Sequence, residues 1–393
     1  MDAVWESDYS LVADSPGVGA GPEGIPPGLR IMSLEELRER LNELDRRLIE
    51  LIAERQSVVE QVGAFKHSEG QAIRDYAREK RVLDSARGTA DALGVAPDVA
   101  EQVMRLLIKT SLTRQELERV RAEGQGDGQQ ALVIGGSGKM GRWFAAFLES
   151  QGYDVTVADP AGRSGDFAHV ADWRICAEAF AVTVIAAPLK VTAGILADMA
   201  ERRHAGLIFD IGSLKTPLIP ALRALAASGA QVTSLHPMFG PDAELLSGKH
   251  VLFLDAGNAE ATRKAQRLFD ATMVQQTTMA LDELDRLIAY VLGLSHALNI
   301  AFSAVLATSG ESVPRLADLS STTFDAQLEV AARVARENPQ LYFEIQSLNK
   351  HGLEPLTGLQ KVIQEIIDAV RDNDEQAFVE LMEQGRRYMA SRG

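Results

Sequence analysis

The stretch "ALVIGGSGKMGRWFAAFLESQGYDVTVADP", Ala131 to Pro160, constrains the fold of this chain more than any other. An apolar run leads into G-x-G-x-x-G at Gly136, Gly138 and Gly141, a helical pattern follows, and a second β-branched run ends at Asp159. The first glycine allows a tight turn, the second lets a pyrophosphate approach the backbone, and the third lets the helix pack on its strand. Ser137, Lys139 and Met140 fill the variable positions at the helix N-terminus, where phosphate is received. Asp159 stands where the ribose-binding acid of a dinucleotide site belongs. An acid there repels a 2′-phosphate, so NAD is expected in preference to NADP. Arg163 lies close enough in sequence to argue the other way.

From Ala131 to about Ala280, short β-branched runs alternate with helical stretches, the pattern of an α/β Rossmann domain. The run "VTVIAAPLKVT" closes a strand at Pro188, and "GLIFDIGSLKTP" closes one near Ser213. The segment "VTSLHPMFGPD" then sets His236 between a strand and two prolines. Such strand ends converge on the ligand crevice of an open parallel sheet. Proline restrains the residue before it, so His236 is either a placed imidazole or the incidental passenger of a stiff loop. Ser213 either meets it beside the cofactor or serves as a turn or helix-cap residue. The helical remainder, 281–393, opens with "LDELDRLIAYVLGLSHALNIAFSAVL", apolar nearly all round and so expected to be a buried helix. His296 within it is a core residue or a site residue.

The N-terminal part reads differently. Residues 1–30 begin acidic, lack a continuous apolar core and are rich in Gly and Pro, so a disordered tail is expected in place of a signal peptide. Residues 31–123 are helical in pattern, and 124–130, "GQGDGQQ", form a Gly-rich linker. Ser33 and Glu36 make a capping box. Leu34, Leu37, Leu41, Leu44, Leu48 and Leu51 then step by three and four, a seam that invites a partner chain. Arg55 falls on the next seam position, where a guanidinium needs an anion: a ligand, a buried glutamate or an escape to solvent. Farther on, Asp75, Arg78 and Glu79 share one helix face, as do Ser111 and Gln115. The net charge of -15 argues against nucleic acid as partner, and no run reads as both long and charge-free enough to span a membrane. One cysteine, Cys176, excludes an internal disulfide and suits the cytoplasm. No metal-ligand pattern is expected to matter.

Residues 33–120 resemble the all-helical chorismate mutase family, a dimer of three-helix chains with interlocked long helices. The family's active-site positions fall without a gap on Arg38, Arg55, Lys66, Asp75, Arg78, Glu79, Ser111 and Gln115. The resemblance implies that Arg38 (of the partner), Arg55 and Arg78 clamp carboxylates and that Lys66 and Gln115 donate to the ether oxygen. It also implies that Glu79 and the backbone near Asp75 hold the ring hydroxyl, while Ser111 helps to place the ring carboxylate. Residues 131–393 resemble chorismate-mutase-fused prephenate dehydrogenases through "GGSGKMGR", "DIGSLK", "LHPMFGPD", "GLSHALN" and "ENPQLYFEIQSLN". That implies His236 as catalytic base, Ser213 as its hydrogen-bonding neighbour and His296 as a lining residue. It implies a helical dimerisation domain over 281–393, and prephenate, oxidised with NAD, as substrate on the route to tyrosine. One departure stands out. In "LSSTTFDAQLE", Asp325 occupies the place of an arginine that family members use for the ring carboxylate, with Arg315, Arg333 and Arg336 nearby. Arogenate and 4-amino-4-deoxyprephenate are therefore alternative substrates. A dehydrogenase whose helical module only dimerises or regulates is an alternative of another kind.

Overall fold

A computed structural model describes residues 33–176, 179–202 and 205–391, with the His67 side chain left out. The expected tail lies outside the described residues. The chain divides into two compact units at Val59/Glu60.

The first unit is the leading part of α1 (Leu34–Ser68). The capping box forms in both directions. The Ser33 amide donates to Glu36 Oε2 at 2.7 Å, and the Glu36 amide donates to Ser33 Oγ at 3.2 Å. Every leucine of the seam from Leu34 to Leu51 is exposed. A stripe of that length left in water is unfavourable at about 25 cal/mol per Å2 of apolar surface.

The second unit begins with the end of α1 and continues through α2 (Tyr76–Ala92) and α3 (Pro97–Ala122). Asp75 caps α2 by accepting from the Arg78 amide at 2.9 Å. Residues 124–130 are no free spacer. Gly126 donates to Gln151 O, and a Cβ on Gly126 would come within 2.3 Å of the Gly152 backbone, so the glycine permits direct packing onto the next domain.

The α/β domain runs β1 (Gln130–Ile134), α4 (Lys139–Ser150), β2 (Asp154–Ala158), β3 (Ala168–Val170), β4 (Val182–Ile185), α5 (Leu189–Ala200), β5 (Leu207–Asp210) and α6 (Ile219–Ala227). It is completed by β6 (Gln231–Pro237), β7 (His250–Asp255), α7 (Ala259–Arg267) and β8 (Gln275–Ala280). The sheet order is β3-β2-β1-β4-β5-β6-β7-β8, parallel throughout except where β7 runs against β6. The first six strands thus follow the dinucleotide-binding order, with the switch point between β1 and β4. Alternation along the strands feeds two cores. Val133, Val184 and Phe209 face α4 and α7, while Leu132, Ile185 and Ile208 face α5 and α6.

Helices α8 (Leu281–Ile288), α9 (Ser295–Thr308), α10 (Val313–Asp318), α11 (Thr322–Ala335), α12 (Pro339–Ser347), α13 (Leu353–Arg371) and α14 (Glu375–Ala390) complete the chain, with a π-helical turn over 289–294. Two expectations fail here. The apolar helix is not buried within its own chain: Leu298, Ile300 and Val305 are exposed, and α9 buries Asn299. Its run, Leu281–Thr308, is also long and apolar enough to cross a membrane by length and composition. The acidic residues of α8 mask this when the run is read as a whole, but the stretch from Val291 onward carries no charged side chain.

Candidate active sites

The glycine loop is shaped for close approach. A Cβ on Gly141 would lie 2.2 Å from Gly135 O, and one on Gly136 would lie 2.6 Å from a Val157 methyl. Helix α4 starts at Gly138 with no side-chain cap, so its first amides are open to a phosphate; Lys139 and Met140 form its opening turn. Asp159 ends β2. Its Oδ2 accepts from the Ser137 amide at 3.0 Å and its Oδ1 from the Ala161 amide at 2.9 Å, which fixes the carboxylate against the loop. Ser137 Oγ donates to Gly162 O. Arg163 turns onto its own loop, donating to Gly165 O and Asp166 O. Arg142, which sequence reasoning passed over, donates to Ser137 O and Ser164 Oγ. Pro188 starts α5 at the end of β4. The cradle, the uncapped helix end and the acid fit NAD.

His236 occupies the end of β6, and its imidazole is buried with neither ring nitrogen hydrogen-bonded. Burial, helped by the nearby Lys215 ammonium, pushes its pKa down to about 3, so the ring is neutral. The loop behind it is held from α4: Trp143 Nε1 donates to Ala243 O at 2.9 Å, and its ring packs on Phe239 at 5.0 Å. Ser213 lies half-buried between β5 and α6 and makes no hydrogen bond to His236. Beneath both residues is a buried network with no strong sequence signal. Lys215 Nζ donates to Asp210 Oδ2 at 2.7 Å and Leu235 O at 2.8 Å, and Ser234 Oγ donates to Asp210 Oδ1 at 2.5 Å. Asp285 of α8 accepts from the amides of Lys215 and Thr216.

His296 stacks face to face on Tyr342 at 4.0 Å, its Nδ1 buried and unpartnered, and burial lowers its pKa. Next along α9, Asn299 accepts from Gln327 Nε2 of α11 at 2.9 Å. Asp325, one turn into α11, accepts a short hydrogen bond from Ser320 Oγ. Arg315 pairs with Glu311 of the loop before α10 and Arg333 with Glu329 along α11, both in exposed pairs, and Arg336 ends α11.

In the helical module, Arg38 lies 3.9 Å from Glu35 in an exposed pair, and burial lowers the pKa of Arg55. Both belong to the first unit. In the second, Lys66 and Gln115 line one cavity of about 290 Å3 together with Gly63 and Ile73, and Lys66 Nζ donates to Ile73 O at 2.9 Å. Asp75 is the cap of α2, with Arg78 one turn in. Glu79 receives a two-pronged contact from Arg74, at 2.8 and 2.9 Å, and Arg74 also donates to Ser247 Oγ at 2.6 Å. Ser111 is buried, donating to Leu107 O. Next to Gln115, the buried Glu116 accepts from the amides of Leu246 at 2.8 Å and Met273 at 2.5 Å. Glu116 and the contact of Arg74 with Ser247 were invisible in sequence because the partners lie far away along the chain.

A dinucleotide fold of this strand order, with a buried neutral histidine at a strand end, defines a nicotinamide-dependent dehydrogenase, here fused to a three-helix module. Residues 37–116 match chorismate mutase type II, 162–277 the nucleotide-binding domain of prephenate dehydrogenase, and 282–384 its dimerization domain. The chain is 28% identical over 353 residues to the T-protein of Enterobacter agglomerans, covering 89% of this chain and 91% of that one. It is 31% identical over 93 residues to the chorismate mutase of Methanocaldococcus jannaschii, covering 23% of this chain and 94% of that one. It is also 28% identical over 281 residues to the 4-amino-4-deoxyprephenate dehydrogenase of Streptomyces pristinaespiralis, covering 67% of this chain and 92% of that one. The fold is shared with prephenate dehydrogenase from A. aeolicus, with a TM-score of 0.53 at 18% identity, covering 67% of this chain and 98% of that one. The chain belongs to the bifunctional chorismate mutase/prephenate dehydrogenase family. It is an enzyme with both domains, the second of them carrying a nucleotide-binding domain.

Proposed function

We propose that one chain rearranges chorismate to prephenate on its helical module and then oxidises and decarboxylates prephenate to 4-hydroxyphenylpyruvate, in the cytosol, as a homodimer. The observation that carries the second step is the buried, neutral, unpartnered His236 at the strand end.

The first step is intramolecular and needs no nucleophile. Arg55, Arg78 and the partner's Arg38 hold the two carboxylates in the folded conformer, because a guanidinium matches a carboxylate in plane and charge. Lys66 and Gln115, which share a cavity, donate to the ether oxygen as charge builds there. Glu79 and the backbone near Asp75 take the ring hydroxyl, and Ser111 helps to place the ring carboxylate. Arg74 fixes the Glu79 carboxylate in place through a two-pronged contact.

In the second step, His236 accepts the proton of the C4 hydroxyl. NAD, when bound over Gly136, Gly138 and Gly141 with its ribose on Asp159, supplies the acceptor for the hydride leaving C4. The ring carboxylate departs as carbon dioxide and the ring becomes aromatic. Ser213 and Pro188 border the nicotinamide end, and His296, braced by Tyr342, lines the substrate.

The dimer is supported by two apolar surfaces too extensive for a free chain, the α1 seam and the exposed flank of α9. The decisive assay is NAD reduction with chorismate as sole substrate. Absorbance growth at 340 nm with release of carbon dioxide is expected, and no reduction would overturn the reading. A second reading rests on Asp325, an acid where the ring-carboxylate arginine is expected. The chain would then act on the amino-substituted series, like its S. pristinaespiralis relative. Faster turnover of 4-amino-4-deoxyprephenate than of prephenate would establish it.

A further inference from the structure

We propose that Lys215, paired with Asp210, is a positioning residue of the dehydrogenase reaction: it fixes the strand end that carries His236 and sets an ammonium beside the imidazole. The proposal rests on reading His236 as the base.

The geometry is as follows. Asp210 and Ser234 are register partners on β5 and β6, so their side chains share one face of the sheet. His236 is two residues beyond Ser234 and projects from that same face, about 7 Å along. Lys215 lies in the gap. Its Nζ bridges Asp210 Oδ2 and Leu235 O, the carbonyl of the peptide whose nitrogen belongs to His236. Asp210 closes the network on Ser234. Lys215 and Asp210 are fully buried: burial lowers the Lys215 pKa, and the Asp210 carboxylate beside it opposes that by favouring the ammonium. The same pair spans the turn between β5 and α6, and Ser213 lies inside that turn, so one ion pair positions both residues facing the reaction.

A buried ion pair is a costly way to stiffen a turn, and an apolar pair of similar size is often as stable. Its charge has a use here. A general base must be neutral before it can accept a proton, and an adjacent ammonium opposes premature protonation. The charged groups on the elements around His236 are differently placed. Lys215 supplies the charge acting on it, with Asp210 of β5 and Asp285 of α8 behind that ammonium. On β7 the register partner is Leu252. On α7, Lys264 reaches Gln231 at the far end of β6, and on α6 Arg223 pairs with Asp282.

The test is the pH dependence of dehydrogenase kcat/KM in Lys215→Gln and in the double variant Asp210→Asn/Lys215→Gln. The amide keeps a donor for Leu235 O and removes the charge. Without the ammonium, protonation of His236 becomes easier, so the acid limb moves to higher pH, by about one to three units in Lys215→Gln, where Asp210 stays charged. In the double variant, whose neutral pair protects the fold, the limb moves up by less. Mutase turnover reports folding and stays unchanged. Limbs that coincide with that of the unaltered enzyme, with only a pH-independent loss of kcat, overturn the proposal. Histidine-labelled NMR of the unaltered enzyme adds an arm free of variants: a His236 that titrates in the ordinary imidazole range also overturns it. His236→Asn separates the two levels. If that variant retains the acid limb, the assignment of the base has failed. If it loses the limb while the Lys215 variants do not shift theirs, this proposal alone has failed.

Discussion

At the scale of single residues, the two chemistries separate cleanly. His236→Asn is expected to lower dehydrogenase turnover by about two to four orders of magnitude, the weight of a positioned general base. NAD binding and mutase turnover should persist, because the imidazole touches neither. Parallel assays on one preparation check this; equal, mild losses in both would reduce His236 to a stiffener of its loop. The unaltered enzyme should show little change in kcat/KM across neutral pH, since burial and Lys215 keep the base unprotonated far below that range. Asp159→Ser tests the cofactor pocket. Loss of the acid should weaken NAD binding and narrow the preference against NADP, measured as the ratio of kcat/KM for the two cofactors. It should also free the Ser137 amide, which Asp159 now holds. Prior preference for NADP in the unaltered enzyme would assign the pocket to Arg163 or Arg142 instead.

Among elements, the joint of α3 with the dehydrogenase domain is the most exacting. Glu116 is buried and satisfies two backbone amides from segments more than a hundred residues away in sequence. Glu116→Ala leaves both amides unpaired, at about 1–3 kcal/mol each. A lower Tm and an earlier urea midpoint are expected, with loss of dehydrogenase turnover at temperatures where the isolated reaction still runs. Burial raises the pKa of this carboxyl. A group raised in the folded state contributes stability that is present below its ordinary value and lost as pH rises through the raised one. The joint should therefore weaken with pH from about 4.5 upward, and Glu116→Ala should flatten that slope. Thermal unfolding across that window checks the sign. The segment that Glu116 and Arg74 grip, Leu246 and Ser247, lies in the loop leading away from His236.

For the whole molecule, the central question is whether each mutase site is shared between two chains. If Arg38 acts across a two-fold interface, chains carrying Arg38→Ala and Arg55→Ala, each inactive, should complement when mixed. A heterodimer rebuilds one intact site of its two, and half of randomly paired dimers are heterodimers, so about a quarter of full mutase activity should return. Absence of recovery in a mixture shown to exchange subunits would place Arg38 in its own chain's site. Much of this architecture was legible from sequence. The glycine spacing, the strand ends and the seam follow from local sterics and periodicity, and the candidate site residues were chosen because site chemistry demands particular side chains at particular spacings. Three features were not. The exposure of α9 depends on what covers it, since an apolar helix reads alike whether its own chain or another buries it. The tight packing of 124–130 depends on a glycine meeting the turn at 151–152. The networks of Lys215 with Leu235 and Asp285 and of Glu116 with Leu246 join distant segments, and each is an unremarkable charged residue in its own neighbourhood. Local spacing determined which groups the chain could present to a ligand; tertiary structure decided which charges lie buried beneath them, because desolvation and pairing exist only once the strands and helices have met.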